Sequence, residues 1–200
     1  PNEHFYYNNW DFNVLGAIIE KKTGRSLYTL FLEEIAKPLG MDSYKGRYCS
    51  IDGESADAKI PDTDGFYQYE RSKSKYPAYH FRMSARDMAR YGLLYLNRGK
   101  WKGKQILPES WVQKSTVPYS LMDKQYGISY GMLWYVLNKA KGGKSHPFLH
   151  TGVGIHMLGI YPDSELVLVH RVDTEKKVKF NRLNLYKLIE MVFDAKIKRK

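Results

Sequence analysis

Five consecutive residues, His150-Thr151-Gly152-Val153-Gly154, bring together groups that could bind or activate a substrate. The imidazole of His150 titrates near neutral pH. Thr151 offers a hydroxyl, and the two glycines let backbone come close to a ligand or to another strand. Pro147-Phe148-Leu149, just before, reads as an apolar strand start. Residues 156–161 read as a second strand, Pro162-Asp163-Ser164 as a turn, and residues 165–172 as a third strand. From these residues alone two readings stand open. One is an ordinary antiparallel sheet with a histidine on its edge; the other is a strand end facing a ligand.

A second group with chemical potential lies near the start of the chain, in Phe5-Tyr6-Tyr7-Asn8-Asn9. Taken singly, Tyr7 reads as a core tyrosine, Asn9 as a residue at a helix start, and His150 as a strand histidine. His156 and His170 read as structural, and Trp134 as sheet packing.

The elements that would position these groups follow from the apolar pattern. Asp11 can cap a helix running to about Lys22, with Phe12, Leu15, Ile18 and Ile19 as its stripe and Gly24 as its end. Ser26 can cap the next helix, which buries Leu27, Leu30, Phe31 and Ile35 and stops at Pro38. Residues 42–80 read as irregular, rich in Asp, Gly, Ser, Lys and Tyr. A loop of that length wraps a site or carries short strands. Ser84-Ala85-Arg86-Asp87 reads as a capping box, with Asp in place of Glu, that opens a helix through about Asn97. Residues 98–104 form a hairpin-like turn, and Pro108 opens a short helix over 109–114. Residues 126–137 alternate as one strand, and 138–145 make a basic, glycine-bearing turn. Residues 178–197 form an amphipathic helix burying Leu183, Leu185, Leu188, Ile189, Val192 and Phe193. Helices first, then an antiparallel sheet, then a covering helix make an α+β fold. It divides into a mostly helical region with long loops over 1–125 and a sheet with its helix over 126–200.

Composition narrows the function classes. Of 200 residues, 43% are apolar, which supports a real core. No apolar run approaches the roughly 20 residues that a membrane span needs. The net charge is +11, but the lysines are scattered, with small clusters at 73–75, 176–177 and 196–200. That pattern fits a solvated basic surface better than a nucleic-acid binder, which shows a basic stripe with interleaved aromatics. Cys49 is the sole cysteine, so neither an intrachain disulfide nor a cysteine-based metal site is available, and the compartment stays open. No segment reads as a signal peptide. The chain opens with Pro1 directly into a dense motif, and the expectation is a piece of a longer protein.

Several stretches, in order, resemble one family. Phe5-Tyr6-Tyr7-Asn8-Asn9, with Leu15-Gly16-Ala17-Ile18-Ile19-Glu20 and Thr23-Gly24 behind it, resembles the Tyr-x-Asn segment of the penicillin-recognising serine hydrolases. These include class C β-lactamases, D-Ala-D-Ala carboxypeptidases and related esterases. Pro38-Leu39-Gly40-Met41, then Ser84-Ala85-Arg86-Asp87-Met88-Ala89-Arg90, then Gly103-Lys104-Gln105-Ile106-Leu107-Pro108 with Trp111-Val112, resemble later landmarks of the family. His150-Thr151-Gly152 resembles its Lys-Thr-Gly strand motif in a His-Thr-Gly form. The resemblance covers nearly the whole chain and implies the C-terminal part of one β-lactamase-like domain.

The roles it implies are specific. Tyr7 would exchange protons with the nucleophile and the leaving group, which requires nearby cations to lower its usual pKa of about 10. Asn9 would hold its amide against the substrate and the catalytic lysine. His150 would donate to a substrate carboxylate or to Tyr7, with a charge that varies near neutrality. Thr151 would donate to the same carboxylate, beside Gly152, and the Val153 N–H would form half of an oxyanion hole. No metal or organic cofactor is implied. The partners implied are a small-molecule or peptide acyl substrate and the missing N-terminal part of the same protein, and many relatives are exported.

One departure matters. The family's nucleophile is the serine of Ser-x-x-Lys, upstream of Tyr-x-Asn. The one formal match here, Ser72-Lys73-Ser74-Lys75, lies downstream in a polar loop and is not assigned as the nucleophile. The expectation is that an upstream segment carries Ser-x-x-Lys, the rest of the oxyanion hole and the first strands of the sheet. Without those strands, residues 165–172 would be an exposed apolar edge. The alternative is a binding or sensor module that keeps the shape and lacks a nucleophile.

Overall fold

The computed structural model describes residues 5–173, 176 and 179–195. The first helix, α1, spans Asn9–Thr23. Asn8 caps it rather than Asp11: the Asn8 side chain accepts the Trp10 N–H at 3.0 Å. Asp11 sits in the first turn instead, where its charge suits the positive end of the helix dipole. Gly24, at φ 66°, closes the helix in the left-handed conformation.

Helix α2 (Leu27–Phe31), capped by Ser26, runs through a π-helical turn (Leu32–Ala36) into α3 (Lys37–Leu39). Pro38 therefore lies inside the last turn and does not stop the helix as expected. The wider π turn just before it gives the proline ring room, and Gly40 at φ 64° makes the end.

Residues 42–80 hold a small sheet of β1 (Tyr48–Asp52), β2 (Gly65–Tyr69) and β3 (Ala78–Phe81). β1 runs parallel to β2, and β2 antiparallel to β3. Tyr28 of α2 pins it. Its ring is fully buried among Tyr48, Tyr67 and Phe81, and its hydroxyl donates to the Phe66 carbonyl at 2.6 Å. Glu20 ties α1 to the same place by accepting the Leu27 N–H and the Tyr67 hydroxyl.

Helix α4 (Ala85–Leu96) starts at Ser84, whose hydroxyl accepts the Asp87 N–H at 3.1 Å. The Asp87 carboxylate does not reach back to close a capping box. It is 1% exposed and accepts from the Ser43 N–H, the Ser43 hydroxyl and Arg90, so it anchors the loop after α3. The hairpin β4 (Lys100–Trp101) and β5 (Lys104–Gln105) follows, then α5 (Glu109–Ser115).

The larger sheet has six strands, antiparallel throughout: β6 (Ser120–Asp123), β7 (Ile128–Tyr130), β8 (Tyr135–Leu137), β9 (Phe148–Gly152), β10 (His156–Tyr161) and β11 (Leu166–His170). The spatial order equals the chain order, with β11 and β6 at the edges. The single strand expected over 126–137 is two, because Leu133 at φ 67° turns the chain between them. Helix α4 covers one face through Tyr95, Trp134, Val136, Phe148, Leu158 and Ile160.

Helix α6 (Arg182–Asp194), shorter than expected, lies on the other face, with Phe193 against Tyr161 at 5.0 Å. Residues 178, 196 and 197 of its expected span lie outside the described residues, as does most of the charge at 176–177 and 196–200. Leu185 is buried, but Leu183, expected beside it, is 74% exposed. It falls two residues off the stripe that Leu185, Leu188, Ile189 and Val192 share.

The docking of α1 on β3 depends on Gly16, since a Cβ there would lie 2.2 Å from the ring of Tyr79. Gly16→Ala is expected to destabilise the protein by about 1–3 kcal/mol. A lower urea midpoint at unchanged slope would be the sign of it.

Candidate active site

Strand β9 sits inside the large sheet, between β8 and β10. Phe148 pairs with Val136 and Ile160, and His150 pairs with Leu158, so Phe148 and His150 share the face under α4. Leu149 and Thr151, which alternate with them along the strand, point to the other face. The strand register thus gives His150 its surroundings. Trp134, 2% exposed, lies with its ring centroid 3.8 Å from that of His150, and Tyr95 of α4 backs it at 4.7 Å. His150 is half-buried, and its ring nitrogens have no hydrogen-bond partner among the described residues. By contrast, His146 bonds the Leu137 carbonyl, His170 bonds the Ile155 carbonyl, and His156 accepts the Val172 N–H.

Burial against this apolar wall lowers the His150 pKa from 6.5 to about 4. The ring is therefore neutral through the physiological range. That corrects the expectation of a charge varying near neutrality, and the cause is desolvation by Trp134 and its neighbours. A neutral imidazole keeps one N–H donor and one acceptor, both unused among the described residues.

Beyond His150 the strand opens to solvent. Thr151 and Gly152 are exposed, and Val153 is 96% exposed. The Val153 N–H makes no backbone hydrogen bond among the described residues. Two successive left-handed residues, Gly154 at φ 83° and Ile155 at φ 64°, turn the chain into β10. For a β-branched residue that conformation is strained, and it keeps the turn tight beside the open strand end.

Tyr7 lies elsewhere. Its ring, 43% exposed, packs on Phe12 at 5.6 Å and edge-on to Tyr130 at 6.4 Å. Tyr130 pairs across strands with Tyr135, and Tyr135 pairs with Leu149, so both belong to the face opposite His150. Tyr7 and His150 are not brought into contact. Partial burial, and secondarily Tyr135, raise the Tyr7 phenol above its usual 10, where the proton-shuttling role needs it lowered. Asn9 opens α1, and its exposed side chain makes no hydrogen bond among the described residues. Tyr130 and Tyr135 escaped the sequence reading, although two tyrosines flanking a short glycine-bearing turn were a signal of a cross-strand ring pair.

Ser72 and Lys75 form no nucleophile pair here. Ser72 lies in a turn, where its N–H donates to Glu54 at 2.8 Å; Lys73 pairs with Glu70, and Lys75 lies 6.0 Å above the ring of Tyr76. Among the described residues no group of three His, Cys, Asp or Glu could hold a metal ion, and no helix is long and apolar enough to cross a membrane.

The family model for beta-lactamases matches residues 1–189. No curated protein matches the chain significantly. Among solved structures, a Bacillus anthracis protein described as a 6-aminohexanoate-dimer hydrolase superposes with a TM-score of 0.66 at 25% identity, over 97% of this chain and 44% of that one. A protein from Bacteroides dorei described as a beta-lactamase gives 0.63 at 15% identity, over 97% and 59%. The penicillin-binding protein of Bacillus halodurans gives 0.59 at 19% identity, over 96% and 57%. The chain thus spans roughly half the length of these structures.

The neutral state of His150 has a pH signature. The unfolded ring takes up a proton below about 6.5 and the folded ring only near 4. Its contribution to stability is therefore full above pH 6.5 and lost as pH falls towards 4. His150→Gln should flatten that stretch of the stability–pH curve, measured by denaturant unfolding at each pH.

Proposed function

Because the chain belongs to the beta-lactamase family, whose members are generally serine hydrolases, we propose that it forms the C-terminal, substrate-recognising part of such a hydrolase. The substrate is an amide, β-lactam or ester. A serine from an upstream Ser-x-x-Lys segment attacks the carbonyl carbon. The new O–C bond pushes the carbonyl electrons onto oxygen, which the Val153 N–H stabilises. Collapse of that oxyanion expels the amine or alcohol. Tyr7 takes the serine proton and passes it to the leaving group, with Asn9 holding the substrate beside it. Water then cleaves the acyl-enzyme by the same steps. His150 and Thr151 hold the substrate along β9, with Gly152 admitting it to the backbone.

The observation that carries this reading is the open end of β9. Among the described residues, the Val153 N–H makes no backbone hydrogen bond and the His150 ring has no hydrogen-bond partner, and the two lie three residues apart in the strand motif. The apolar edge strand β11, with Leu166, Val167, Leu168 and Val169 all half-buried, supports the further proposal that upstream strands pair there. The reading requires the upstream lysine to lower the Tyr7 phenol and to draw residues 5–8 from Tyr130 towards β9.

The separation of Tyr7 from His150, and the turn conformation of Ser72, favour the second reading, a recognition module without a nucleophile. A fluorophosphonate distinguishes the two. No adduct should form on the 200-residue chain, and an upstream-extended protein should be labelled on its Ser-x-x-Lys serine. In that longer protein, Tyr7→Phe should lower kcat/KM by roughly 10²–10⁴-fold. An adduct on Ser72 would overturn the assignment of the nucleophile; no adduct on either protein would leave the recognition module.

A further inference from the structure

The hairpin after α4 carries four cations in seven residues, Arg98, Lys100, Lys102 and Lys104, all exposed. Its base is fixed. The Gly99 N–H donates to the Leu94 carbonyl at 2.7 Å, the Ile106 N–H donates to the Gly99 carbonyl at 2.8 Å, and Trp101, Ile106 and Leu107 pack into the core beside Leu39, Met41 and Leu94. Arg98 at φ 52° and Lys102 at φ 47° hold left-handed positions that glycine fills at lower cost. Each is followed by a glycine at φ 82° or 83°, and the Lys102-Gly103 pair makes the tight turn whose twist suits a two-residue hairpin.

Arg98, Lys100 and Lys102, with Leu96, Asn97 and Gly103, line one shallow, largely open depression, and no acidic residue lines it. Arg98 has one carboxylate partner, Glu109 at 3.3 Å. Lys100, Lys102 and Lys104 form no ion pair among the described residues. The negative end of α4 attracts cations only over its last turn, so it does not account for the two lysines at the hairpin tip.

We propose that this hairpin is a docking prong for the phosphate headgroups of an anionic bilayer. A nucleic-acid partner fits less well, because Trp101 is turned into the core and no exposed ring interleaves the cations for base stacking. A lipid surface fits better. Leu96 lines the concavity, Leu93 one turn earlier on α4 is exposed, and lysine stems add apolar length beneath their charges. The surface lies outside the β9 site, and the proposal does not depend on acyl-transfer chemistry.

Flotation with vesicles is the test, since aggregated protein does not float. The chain should rise with vesicles of phosphatidylglycerol and phosphatidylcholine, fail to rise with phosphatidylcholine alone, and be released by salt. Three basic residues at an anionic surface are worth roughly a hundredfold in partitioning, so K100E/K102E/K104E, which also adds three repelled carboxylates, should lose at least that much. K139E/K141E/K144E, with the same net charge, should still float. Equal loss in both variants would assign the binding to diffuse net charge and overturn the prong. Absence of flotation, or retention on heparin or DNA without flotation, would overturn the bilayer as partner.

Discussion

The surroundings of His150 rest on how closely α4 can lie on the large sheet. Gly92 makes that approach possible: a Cβ there would meet Val167 at 2.5 Å and Leu158 at 2.9 Å. The buried Asp87 carboxylate fixes the other end of the helix through Ser43 and Arg90. With both constraints met, Leu94 enters the core beside α3 and Tyr95 enters the core over the sheet. Tyr95 then backs Trp134, and Trp134 backs His150. The protonation state of one imidazole is thus set by a helix that reaches it through a single intervening side chain, Trp134. The energetic logic is ordinary: removing water from one face of the ring disfavours the charged form, and no carboxylate lies there to repay it.

This arrangement divides the sheet into two chemically distinct faces. The face under α4 is aromatic and dry, and it holds the one described histidine of the large sheet and its flanks whose nitrogens are unspent. The opposite face carries Tyr130, Tyr135 and, through them, Tyr7. Between the two, the end of β9 emerges into solvent with a strained turn behind it. Binding at such an end would draw on backbone donors and neutral hydrogen bonds, with charge supplied by other parts of the protein.

Much of this was legible in the sequence. The alternation of residues 147–172 gave three strands in the right order, because each strand has one face in the core and one outside. Ser26, Ser84 and Gly24 marked helix ends by local chemistry that tertiary packing did not override. The small sheet within 42–80 was harder to see. Its strands are short, and their register is set by contacts of Tyr28 and Glu20 from a helix far away in the chain, which no local pattern encodes. Pro38 misled for a similar reason, since the π turn that accommodates it depends on the packing of α2 and α3. Motif order singled out Tyr7, Asn9 and His150 as candidates, but it could not say on which face of the sheet the rings of Tyr7 and His150 would lie. Nor could it give the charge on His150, which follows from its burial against the ring of Trp134.

The central claim is that the end of β9 is the recognition edge of an acyl-transfer site completed by an upstream serine. A crystal structure of the upstream-extended protein carrying a phosphonate on its nucleophile tests it most directly. The account predicts a phosphonyl oxygen at about 2.7–3.1 Å from the Val153 N–H, as an oxyanion hole demands. It also predicts the Tyr7 hydroxyl within hydrogen-bond reach of the labelled serine and the ring of Tyr7 withdrawn from Tyr130. A phosphonate bound away from β9, with Val153 still turned to bulk solvent and Tyr7 still against Tyr130, would contradict it.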